Sequence, residues 1–151
     1  MLKRCAIVMA FLTFPMLANA SGFSFTDTNG QTHTLASHQG KWVLVNLWAT
    51  WCAPCLAEMP DLEMLSKSRN DLVVLGLAVD GQNARRVTQF AEKLNVTYPI
   101  IAGNAEMAQQ FRPKGYPTSI LYDNRGQQVM VKEGPIVRQE IEDFLNHRTA
   151  N

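Results

Sequence analysis

The chain has 151 residues, of which 46% are hydrophobic and 18% charged, and its formal net charge is +1. That length and composition suit a single globular domain with a real core. The near-neutral balance excludes the basic face of a nucleic-acid binder and the polybasic patch of a protein held on an acidic membrane surface, so neither partner is expected.

In chain order, residues 1–20 are predicted to be an export signal. Lys3 and Arg4 form a basic start, residues 6–17 are apolar, and Ala18-Asn19-Ala20 is a small-x-small cleavage site. The apolar stretch is shorter than the roughly 20 residues of a spanning helix and contains Pro15, which favours cleavage over anchoring. Cleavage removes Cys5 with the signal and leaves one domain, residues 21–151, beginning at Ser21.

Phe23-Ser24-Phe25-Thr26 alternates apolar and polar, Asn29-Gly30 is a strong turn signal, and residues 32–35 alternate again, which predicts an N-terminal β-hairpin. A buried strand is predicted over 43–48. The following helix, over about 52–67, carries Leu56, Met59, Leu62 and Leu65 on one face and is expected to kink at Pro60. Residues 72–79 form an apolar run of strand length, as in a strand covered on both faces. Asn83 caps a helix carrying Val87, Phe90, Ala91 and Leu94, followed by a short strand over 98–102 and a short helix over 105–111. A hairpin over 118–122 and 128–132, turning at residues 123–126, leads into a closing helix through Val137, Ile141, Phe144 and Leu145. The sum is an α/β fold: a mixed central sheet with helices on both faces.

The chemistry concentrates in Trp51-Cys52-Ala53-Pro54-Cys55, where a buried strand delivers two thiols to a helix start. Unpaired backbone N–H groups and the positive end of the helix dipole favour a thiolate at Cys52, the nucleophile; Cys55, one turn inside, is the resolving thiol. As a purely structural staple this pair would close a tiny loop, where disulfides stabilise least. Pro54 has no N–H to offer the Cys52 sulfur, which limits thiolate stabilisation and leans the pair toward a reductant. Glu58, three residues after Cys55 on the same side of the helix, can accept or relay the Cys55 proton; the bland alternative is a solvated helix glutamate. Trp48 and Trp51 are expected to be partly core and partly an apolar rim for a partner. His33, His38 and His147 are expected at the surface without the paired spacing of metal ligands, so no metal and no cofactor is expected.

This order of elements resembles a thioredoxin-like domain. More narrowly, the chain is similar to the exported bacterial thioredoxin-like thiol:disulfide oxidoreductases, the group that includes the cytochrome c maturation reductases, over nearly all of residues 23–146. The likeness rests on Phe25-Thr26-Asp27 with Gly30 and Leu35, Gly40-Lys41, the run from Val45 through Trp48-Ala49-Thr50 to Cys55, Glu58-Met59-Pro60 and Gly115-Tyr116-Pro117-Thr118. The resemblance implies a cis bond before Pro117, and a substrate surface made by Trp51, Pro54, Tyr116, Pro117 and Thr118. It assigns residues 81–101 to an inserted helix and strand, and Asn46 to the strand position where plain thioredoxins bury an acid. It implies a monomer in the periplasm that reduces disulfide-bearing proteins and is re-reduced by a membrane electron donor. Thr118 stands where cytochrome-specific members carry an acid, which leaves the substrate open. A disulfide-donating oxidase and a copper or zinc thiol carrier remain alternatives. A peroxidase is disfavoured, since no proline-threonine peroxidatic motif precedes Cys52.

Overall fold

The computed structural model describes residues 22–149, so the expected export signal and its cleavage point lie outside the described residues. Strands β1 (Ser24–Thr26) and β2 (Thr32–Thr34) pair antiparallel through a turn in which Gly30 takes φ +85°, a conformation that suits a residue without Cβ. One 3-10 turn (Ala36–His38) leads into β3 (Trp42–Trp48), all seven residues of which are buried. The chain continues through α1 (Ala53–Ser68), β4 (Leu72–Ala78), α2 (Ala84–Lys93), β5 (Ile100–Ala102), α3 (Ala105–Gln109), β6 (Thr118–Tyr122), β7 (Gln128–Glu133) and α4 (Arg138–Thr149). The expected elements are therefore present with small shifts at their ends. Tyr98 and Pro99 precede β5 rather than opening it, and α3 stops before Gln110.

Five strands form one mixed sheet in the order β5-β4-β3-β6-β7. β4 lies parallel to both β3 and β5, whereas β6 is antiparallel to both β3 and β7. With β3 in the middle, whatever follows Trp48 emerges at the centre of the sheet edge. Side chains alternate along β3. Asn46 bonds to Glu58 on α1, so Leu44, Asn46 and Trp48 face that helix, and Val43, Val45 and Leu47 face away. The away face is covered by the N-terminal hairpin: Phe23 and Phe25 stack at 4.8 Å, and Phe23 meets Tyr122, the register partner of Val43, edge-on at 5.9 Å. The amide of Thr28 donates to the Ile100 carbonyl and ties that hairpin to the edge strand.

His33 corrects the sequence expectation of a surface histidine. It is 2% exposed, with Nε2 3.1 Å from Asp27 Oδ2 and Nδ1 3.0 Å from His38 Nε2. Burial alone would raise the Asp27 carboxyl, but His33 and the amides of Gln31 and Asn29 outweigh it and hold the pKa below the ordinary value. His38 is half-buried, and His147 is exposed on α4.

Gly76 on β4 lies where other groups crowd the sheet. An added Cβ would stand 2.8 Å from Ile100 Cδ1, 3.0 Å from Tyr98 Cε2 and 3.2 Å from Trp48 Nε1. Gly76→Ala is therefore expected to lower the unfolding free energy by about 1–3 kcal/mol through overpacking. Urea unfolding checks this, and an unchanged midpoint would mean that Tyr98 and Trp48 yield freely.

Candidate functional site

The reactive pair forms because β3 ends and α1 begins within four residues. The Cys52 amide donates to the Ala49 carbonyl, turning the chain, and Cys52 becomes the N-cap of α1 with its Sγ accepting from the Cys55 amide at 3.3 Å. Pro54 occupies the first helical turn, where a missing N–H costs nothing. Cys52 and Cys55 are joined as a disulfide with their Cα atoms 5.3 Å apart. Cys55 is wholly enclosed, and Cys52 is 5% exposed beside Trp51, which is 66% exposed.

Asp80, just past β4, fixes the approach to this turn. Its carboxylate accepts from the Thr50 amide at 3.1 and 3.2 Å and from Thr50 Oγ1 at 2.6 Å. Asp80 was not among the residues singled out in the sequence. Its only signal there is its place at the end of a parallel strand beside the reactive loop.

The proline loop lies beside the pair because Thr118 pairs with Leu47 at the end of β3. The Tyr116–Pro117 bond is cis, and the Tyr116 ring meets the Trp51 ring edge-on at 6.2 Å. Pro54 and Trp51 are exposed and Tyr116 half-exposed, so all three can touch a partner, and Pro117 is buried behind them. Thr118, like Pro117, is an expected substrate residue that does not reach the surface. It is fully buried, and its Oγ1 lies 2.8 Å from the Gly115 carbonyl and 2.9 Å from Glu133 Oε2, sharing one proton between them and bracing the loop.

Glu58 is no solvated helix glutamate. It is 5% exposed, with Oε1 accepting from Asn46 Nδ2 at 2.7 Å and Oε2 from the Ile136 amide at 2.8 Å. Asn46 Nδ2 also lies 3.0 Å from Ser119 Oγ on β6. Burial pushes the Glu58 carboxyl up to about 6, against the two N–H donors that favour its charged form. The Ile136 amide reaches Glu58 from 78 residues away, which no local pattern reveals. A groove of about 270 Å³ lined by Pro54, Ala57, Glu58, Asp61, Pro135, Ile136 and Val137 opens beside the pair. Trp48 is wholly core, not rim. Among the described residues no group of three His, Cys, Asp or Glu is placed to hold a metal ion.

Known proteins share this arrangement. The model of the AhpC/TSA family matches residues 14–134. The thiol-disulfide oxidoreductase ResA of Geobacillus kaustophilus is 33% identical over 130 residues, covering 85% of this chain and 75% of its own length. The thioredoxin-like protein YneN of Bacillus subtilis is 31% identical over 130 residues, covering 84% and 76%. Among solved structures, a thiol:disulfide interchange protein of the thioredoxin family from Chlorobium tepidum superposes with a TM-score of 0.73 at 27% identity, covering 83% of this chain and 92% of its own.

A carboxyl whose folded pKa exceeds its unfolded value binds its proton more tightly in the native state. It adds stability below the unfolded pKa and loses it as pH rises through the folded one. For Glu58 that window runs from 4.5 to about 6. Relative to the non-titrating Glu58→Gln, the oxidised protein is expected to lose about 2 kcal/mol of unfolding free energy between pH 4 and pH 7. Urea unfolding across that range checks it, and a constant difference would show that burial does not raise Glu58.

Proposed function

The chain belongs to the AhpC/TSA family and is a thioredoxin-like thiol-disulfide oxidoreductase, and from that premise we propose that it works in the periplasm as a reductant of protein disulfides. The observation that carries the direction is Glu58, a buried carboxylate one helical turn beyond Cys55. Negative charge beside the pair raises thiol pKa values and so disfavours the thiolate form. Strongly oxidising dithiol proteins are those whose reduced form is stabilised. Pro54 adds to this by offering no N–H to the Cys52 sulfur.

In the reduced protein, the Cys52 thiolate at the α1 N-terminus attacks one sulfur of a substrate disulfide, and the other sulfur leaves as a thiolate and takes a proton from water. Glu58 accepts the Cys55 proton. The Cys55 thiolate then attacks Cys52 Sγ, the mixed disulfide breaks, and the second substrate sulfur leaves as a thiolate. The enzyme ends in the disulfide form of Cys52 and Cys55 described above. Trp51, Pro54 and Tyr116 form the rim against which the substrate backbone lies. A membrane donor supplies the two electrons for the next cycle, and the basic-apolar start of the chain is the signal that exports it. Cytochrome c maturation is one setting in which such a reductant keeps thiols available in an oxidising compartment.

Two measurements test this. The equilibrium reduction potential of the pair, titrated against a thiol buffer, is expected between roughly −270 and −220 mV; a value near about −120 mV would make the protein a disulfide donor. Cys55→Ser is expected to accumulate mixed disulfides with substrate proteins and Cys52→Ser to accumulate none, as read by mass spectrometry. The reverse pattern would exchange the two roles.

A further inference from the structure

Among the described residues, three buried side-chain polar atoms beneath α1 have no protein hydrogen-bond partner: Asn46 Oδ1, Trp48 Nε1 and the Tyr98 hydroxyl. Their residues are 0%, 0% and 3% exposed. An unpaired polar group at such burial forfeits its hydration with nothing in return, and native cores rarely tolerate it. The three residues gather over Gly76 on one side of the sheet. Asn46 and Trp48 stand two apart on β3 and share its α1-facing side. Asn46 is in register with Gly76, and the point above Gly76 where a Cβ would stand is 3.2 Å from Trp48 Nε1 and 3.0 Å from the Tyr98 ring.

Their chemistry is complementary as well. The indole N–H only donates, the carboxamide oxygen only accepts, and the phenol does either. A water within reach of all three would accept from Trp48, donate to Asn46 and bond to the Tyr98 hydroxyl. About three hydrogen bonds is the usual number for a buried water. We propose that one ordered water binds Asn46 Oδ1, Trp48 Nε1 and Tyr98 Oη, and that Trp48 and Tyr98 act through it as positioning residues for Glu58.

This rests on Glu58 as the proton acceptor and adds how its proton affinity is set. A carboxamide has a donating end and an accepting end. With Oδ1 anchored on the water, Asn46 turns Nδ2 to Glu58, and that donor favours the carboxylate. Without the anchor the amide is free to turn over and offer Oδ1 to a protonated Glu58, which favours the neutral acid. The other groups around Glu58 are the Cys52–Cys55 disulfide at the start of the same helix, Asp61 in the same groove, the Ile136 amide, Ser119 through Asn46, and Glu63 beyond Tyr98. Burial, together with the charges of Glu58 and Glu63, pushes the Tyr98 phenol far up, so it stays a neutral hydroxyl.

Tyr98→Phe keeps the ring against Gly76 and removes only the hydroxyl. A high-resolution crystal structure of the wild type is expected to show a water within hydrogen-bond distance of all three atoms. Carboxyl NMR of Tyr98→Phe is expected to show the Glu58 proton affinity raised roughly three- to ten-fold. A dry site, or an unchanged Glu58 titration, overturns the proposal; if the variant does not fold, the wild-type crystal structure decides alone. Neither readout uses exchange activity. A failure of Glu58 as base would appear separately, as an unchanged pH–rate profile in Glu58→Gln, and would reduce the water to a structural one.

Discussion

The Glu58 carboxylate lies almost out of water, with one oxygen on Asn46 Nδ2 and the other on the Ile136 amide. Burial pushes toward the neutral acid and the two donors push toward the anion, leaving the pKa at about 6. An acid so balanced changes charge in the mildly acidic range. Three conditions put it there. β3 has to be buried on both faces for Asn46 to meet α1, α1 has to begin directly after β3, and the segment entering α4 has to fold back across the helix.

The reactive end separates two tasks. Inside lie the wholly enclosed Cys55, the buried Glu58 and Asn46, and the polar atoms of Trp48 and Tyr98. Outside, Trp51, Pro54 and Tyr116 present ring and pyrrolidine surface beside a groove bordered by Val137, which is 54% exposed. Between them stand internal braces: Asp80 on Thr50, and Thr118 on Gly115 and Glu133. The braces hold the cysteine turn and the proline loop from opposite sides, so the outer rim can admit varied partners while the sulfur geometry stays constant. The N-terminal hairpin serves the same end at a distance, sealing the far face of the sheet with Phe23 and Phe25.

Most of the architecture was legible because it depends on local signals. Apolar runs marked β3 and β4, helical spacing marked α1, Asn83 announced α2, and Asn29-Gly30 announced the first turn. The cysteine pair and the proline loop stood out for the same reason: their residues are contiguous. What escaped depends on contacts between distant segments. Alternation around His33 gave no hint that Asp27 and His38 would close over it. Thr118 looked like a contact residue until pairing in the sheet turned its hydroxyl inward, and Trp48 looked like half a rim until α1 covered it. Whether Glu58 was solvated or buried depended on Asn46 and Ile136, 12 and 78 residues away, and periodicity is blind to pairing at that range.

The central claim is that Glu58 takes the Cys55 proton when the mixed disulfide is resolved. Single-turnover resolution of a mixed disulfide between Cys52 and a small aromatic thiol, followed by thiol release across pH 4–9, tests it directly. The rate is expected to rise with a midpoint near that of Glu58, at about 6, and that midpoint is expected to disappear in Glu58→Gln. A single rise at the ordinary thiol range of about 8.5, identical in both proteins, would contradict it.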